Sequence, residues 1–137
     1  MSIIEEIAKK SEVELEEIEY DAKVRYNFSF SLFREVRTKL YFKGFRCGDY
    51  ICFDISNGKI TAYPSKTKAN RLFCTKIVCR FYDWLVLIPS PIRKHIMRKL
   101  NIPKSLPYNP LCVHVKFSTK TLKLEIEPFV CAEVKEE

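Results

Sequence analysis

From Ile18 to Leu32 the chain alternates without a fault: Ile18, Tyr20, Ala22, Val24, Tyr26, Phe28, Phe30 and Leu32 are apolar, and Glu19, Asp21, Lys23, Arg25, Asn27, Ser29 and Ser31 between them are polar. Successive strand side chains point to opposite faces, so a period of two specifies an extended segment with one dry and one wet face. The pattern predicts one long N-terminal strand. At roughly 3.3 Å per residue it would run about 50 Å, well past the usual five or six residues, and is expected to bend, bulge or project beyond its sheet. A projecting strand can pair with a second copy of the chain, which makes a homodimer through this strand an expectation.

Upstream, Ser2-Ile3-Ile4-Glu5 fits a capping box for a helix over residues 2–10, with Ile4, Ile7 and Ala8 on one face. Downstream, residues 31–43 read as a helix with Ser31 as N-cap, Val36 and Leu40 on its apolar stripe and Gly44 just past its end; a strand is the alternative. Asn57-Gly58 supplies the two positive-φ residues of a type I′ turn and predicts a hairpin with Ile55 opposite Ile60 and Phe53 opposite Ala62. Residues 72–87 carry their polar side chains, Lys76, Arg80 and Asp83, within one narrow sector of a helical wheel, which favours a mostly buried helix over a pair of strands. Ser90-Pro91 opens another helix, with Ser90 as N-cap and Ile92, Ile96 and Leu100 along one side. A second hairpin joins the alternating segments Leu111–Phe117 and Leu122–Ile126 and ends near Pro128, leaving residues 131–137 as a frayed acidic tail. The fold class expected is α+β: one domain over residues 1–137, an antiparallel sheet of a long N-terminal strand and two hairpins, with two or three helices packed on one face.

No apolar run approaches the roughly 18 residues that span a bilayer, and the N-terminal residues lack a basic region followed by an apolar core, so neither a membrane span nor secretion is expected. The placement expected is cytoplasmic. Glutamine is absent, and depletion of thermolabile amides is one mark of a thermophile chain. Cys47 and Cys52, like Cys74 and Cys79, have a C-x4-C spacing, but structural zinc usually takes tighter knuckles, and residues five apart point to opposite strand faces. Buried thiols are the favoured reading, with cystines kept open because hyperthermophile proteins form them inside the cell. No metal site and no cofactor is expected.

Charge is the most usable functional signal. The net charge is +7, yet residues 34–104 hold 16 Lys or Arg against 4 Asp or Glu, while both flanks are acidic. A basic centre suits a polyanion. The candidate phosphate-binding residues are Lys66, Lys68 and Arg71 on a polar connector and Arg93, Lys94, Arg98 and Lys99 on the Ser90 helix, with Tyr63 or Phe45 available to stack on bases. A nuclease would need Asp49, Asp54 or Asp83 to converge around a metal, three glycines leave no phosphate loop, and His95 and His114 lack a recognisable nucleophile partner. The expectation is a non-enzymatic nucleic-acid-binding protein; the alternative is a protein-interaction module that turns its basic face to an acidic partner.

Overall fold

In the computed structural model, which describes residues 17–68, 73–102 and 110–131, the alternating segment forms two strands and not one. β1 is Glu17–Lys23 and β2 is Ser29–Ser31. Between them the backbone turns back on itself: Phe28 takes φ 61°, its N–H donates to the Arg25 carbonyl at 2.9 Å, and Asn27 Oδ1 accepts from the Ser29 hydroxyl at 2.6 Å. A short asparagine side chain that captures a hydroxyl and N–H two residues on is a turn device. The alternation runs through it because the turn adds an even number of residues, so Ile18, Val24, Phe30 and Leu32 are all buried while Tyr26, at the bend, is 77% exposed. The fifteen-residue strand on which the homodimer expectation rested is therefore replaced by two shorter strands joined by a turn.

α1 (Arg34–Phe42) follows, then β3 (Tyr50–Ser56), β4 (Lys59–Ser65), β5 (Phe73–Arg80), β6 (Asp83–Leu87), α2 (Ser90–Leu100), β7 (Leu111–Ser118) and β8 (Leu124–Val130). The strands hydrogen-bond in the order β1-β7-β8-β4-β3-β5-β6-β2, with every neighbouring pair antiparallel. The two ends of that order, β1 and β2, are consecutive in the chain. The sheet consequently curls until its edges meet, so the described residues form a mostly-β, nearly closed eight-stranded barrel with two short helices; the expected α+β class fits broadly, and the open antiparallel sheet with helices on one face is replaced by a barrel. The turn between β1 and β2 is closed by Arg25 N–H to the Ser29 carbonyl at 2.8 Å, and the Tyr20 hydroxyl on β1 reaches the Ser31 carbonyl on β2 at 3.2 Å. Burial pushes the Tyr20 phenol well above its ordinary pKa, so it remains a donor at any physiological pH.

Both expected hairpins form. Asn57 (φ 53°) and Gly58 (φ 76°) make the turn, and the pairs Ile55–Ile60 and Phe53–Ala62 stand opposite one another. β7 buries Leu111, Val113, Val115 and Phe117 and leaves Cys112, His114 and Lys116 on the other face; β8 continues through Pro128 to Val130. Residues 73–87, expected as a helix, form a third hairpin. Its turn, Phe81-Tyr82, contains none of the usual turn residues, which is why periodicity alone misread it. Val36 and Leu40 of α1 and Ile92 and Ile96 of α2 join the barrel residues in one buried cluster. The caps differ from expectation: Phe33 precedes α1 and Pro89 precedes α2, with no side-chain cap bond at either, and Gly44 turns the chain after α1 at φ 96°. The helix expected over residues 2–10 and the tail beyond Cys131 lie outside the described residues.

The six cysteines are paired as Cys47–Cys79, Cys52–Cys74 and Cys112–Cys131, which corrects the expectation of free thiols. Each C-x4-C motif sends its two members to partners in the other motif. Cys52 and Cys74 are direct cross-strand partners in the β3–β5 ladder.

Candidate nucleic-acid interface

Of the seven cations singled out from sequence, the six among the described residues fall into separate groups. Lys99 Nζ lies 3.5 Å from the carbonyl of Gly58, at the start of β4, whereas Lys66 and Lys68 follow its end. Seven residues of strand, roughly 20 Å, separate the two groups. Lys66 is committed to an internal clasp: its ammonium ion-pairs with Asp49 Oδ2 at 2.7 Å, donates to the Gly44 carbonyl and sits 5.2 Å from the centre of the Phe45 ring. That ammonium and the Arg46 backbone N–H hold the Asp49 carboxyl below the usual range. Lys68 is exposed, and Arg71 lies outside the described residues. On α2, Arg93 is folded back, its Nε donating to the Ile88 carbonyl at 2.5 Å and its guanidinium lying over Phe28 at 5.0 Å. Lys94 and Arg98 are exposed beside a shallow groove floored by Phe28, Met97 and Ile102. Of the proposed stacking rings, Tyr63 is 38% exposed and Phe45 is occupied by Lys66.

A more continuous positive surface, which charge counting along the chain missed, comes from four different elements. Asp83, at the start of β6, lies 3.8 Å from Arg25 in the β1–β2 turn and 3.6 Å from Arg37 on α1. Two guanidiniums on one carboxylate leave a net positive charge. Arg80 is the cross-strand partner of Asp83, so both side chains leave the hairpin on the same face. Along α1, Arg37 is followed one turn later by Tyr41, whose ring carries the Arg46 guanidinium at 3.7 Å. Arg46 in turn donates to the carbonyls of Tyr41 and Phe45, both at 2.8 Å.

Aromatic rings are interleaved with these cations and are left in water: Phe81 is 102% exposed, Tyr82 89%, Phe42 79% and Tyr41 50%. The Arg46 loop is held against the hairpin that carries Phe81 and Tyr82 by Gly48 N–H to the Ile77 carbonyl (2.9 Å), Ile77 N–H to the Asp49 carbonyl (2.7 Å) and the Cys47–Cys79 bond. Aromatic faces and guanidiniums on a stapled framework are the chemistry that binds bases and phosphates together.

The acids of the basic region do not converge. Asp49 is engaged by Lys66, Asp83 by the two arginines, and Asp54 by the backbone N–H of Ile55. Among the described residues no group of three His, Cys, Asp or Glu could hold a metal ion. His114 Nδ1 lies 2.6 Å from Asp21 Oδ1 on the outer face of β7 and β1, and His95 is half-buried on α2. Among the described residues no helix is long and apolar enough to cross a membrane. Compared with protein-family models, curated proteins and solved structures, the chain matches none.

Proposed function

We propose that this protein binds nucleic acid without catalysing a reaction on it, gripping phosphates through arginine and reading little or no base sequence. The observation that carries the reading is the run of guanidiniums and bare rings from the β5–β6 turn through Asp83 to α1 and Arg46. Exposed rings favour nucleic acid over a purely electrostatic acidic-protein partner, because a charged peptide would not need them. The three disulfides fit an oxidising compartment, and in a glutamine-free chain they fit equally the cytoplasm of a hyperthermophile, which keeps the cytoplasmic placement as part of this proposal.

Fluorescence anisotropy with labelled DNA and RNA strands at low salt tests it. Saturable binding is expected, and it is expected to survive replacement of Arg93, Lys94, Arg98 and Lys99 by alanine with a loss of no more than about tenfold, because Arg93 and Lys99 are turned onto the barrel. No binding to any strand overturns the proposal, and abolition by the α2 variant moves the site to α2.

A further inference from the structure

Two adjacent aromatic residues, Phe81 and Tyr82, form the whole of the turn between β5 and β6, and the fold buries neither. Leaving two such rings in water forgoes the burial that normally places them inside. Phe81 also takes φ 54°, a conformation that bulky side chains adopt rarely and that glycine or asparagine would occupy without strain. A turn that is both strained and exposed where an ordinary Gly-Ser would relieve both costs is a site whose rings have a use outside the fold.

The tip is also held in place. Arg80 and Asp83 pair across the hairpin immediately below it, Asp83 is gripped by Arg25 and Arg37, and Cys79 is bonded to Cys47. The two rings therefore stand on a rigid base ringed by guanidiniums at Arg25, Arg37 and Arg80.

We infer that the ligand is single-stranded nucleic acid, with unpaired bases stacked on Phe81 and Tyr82 while the flanking phosphates lie against the arginines. This rests on the function proposed above and goes further, because phosphate contacts alone would accept a duplex. In a duplex the base faces are already stacked on one another and are closed to a side chain. In a single strand every base has a free π-face, and the stacking is indifferent to sequence. Rings in the β5–β6 turn thus select strandedness, and the arginines supply attraction to either form.

The test compares an oligothymidylate strand with a duplex of the same length, using the wild type and the double variant Phe81→Gly, Tyr82→Ser. Glycine accepts the positive φ and Gly-Ser suits a two-residue hairpin, so the variant is expected to fold, with an unchanged or higher melting temperature. The wild type is expected to bind the single strand at least tenfold more tightly than the duplex. The variant is expected to lose about 10²-fold in single-strand affinity, roughly tenfold per ring, with duplex affinity unchanged. Equal wild-type affinity for both forms, or a variant that keeps full single-strand affinity, overturns the inference while leaving phosphate binding intact. Binding of the wild type to neither form overturns the parent reading first. Sedimentation with phosphatidylserine vesicles that depends on Phe81 and Tyr82, with no ring-dependent effect on the single strand, also overturns it, because the rings would then serve a lipid surface.

Discussion

Replacing Arg25, Arg37 and Arg46 together by alanine is expected to weaken single-strand binding by about 10²-fold, taking roughly 1 kcal/mol for each charge-assisted phosphate contact. The three come from the β1–β2 turn, α1 and the loop after it, and they are linked through Asp83 and Tyr41 into one surface. Arg25 and Arg46 are exposed, where such a contact contributes about 1 kcal/mol or less, while Arg37, with a side chain 20% exposed, also loses packing, so the variant is expected to keep its barrel with a lowered melting temperature. The corresponding lysine variant should recover most of the affinity if charge alone is used, and little of it if the planar fork and its stacking on Tyr41 are used. Anisotropy titration measures both. An alanine variant that binds like the wild type would place the site elsewhere on the molecule.

The second large effect concerns the bond between Cys47 and Cys79. With Cys52–Cys74 intact inside it, the bond closes an effective loop formed by residues 47–52 and 74–79, for which the chain-entropy relation gives about 3 kcal/mol of stabilisation. Replacing both cysteines by serine is expected to lower the melting temperature by about 10 °C for a chain of this size. The same bond fastens the Arg46 loop to the β5 strand just before Phe81 and Tyr82, so the variant should also lose affinity at temperatures where it remains folded. Calorimetry with and without reductant, together with thiol titration of the unfolded chain, measures the first effect. Six reactive thiols in non-reduced protein would contradict all three bonds.

The strands of the two predicted hairpins were legible because each carried a local signal that survives into the fold: Asn57-Gly58 for one, and unbroken alternation from Leu111 to Phe117 for the other. The barrel was not legible, since closure depends on β1 and β2 lying at opposite ends of the strand order, a relation between distant segments that periodicity cannot express. Alternation through Tyr26 and Phe28 concealed a turn because parity is kept across it. At Phe81-Tyr82 the turn was concealed by its own composition. The local turn rule thus fails at the two exposed rings on which the proposed function draws.

The proposed interface was hidden for a related reason. Counting charge along the chain assigned Arg25 to an acidic flank and weighted α2, whose arginine at position 93 is spent on the Ile88 carbonyl and the Phe28 ring. Arg25, Arg37, Arg46 and Arg80 come together only through the strand order and the Cys47–Cys79 bond. Among the described cations named from sequence, Lys66 borders that surface, as a clasp on Asp49, and Asp83, named there only as a possible metal ligand, lies within it.

The most direct measurement is the affinity of the wild-type protein for a single strand over a series of salt concentrations. With about four phosphates held by arginine, log K is expected to fall against log salt with a slope of about −3, from roughly 0.7 per phosphate on a single strand. A flat line, or no binding at the lowest salt, would contradict a phosphate-gripping surface altogether.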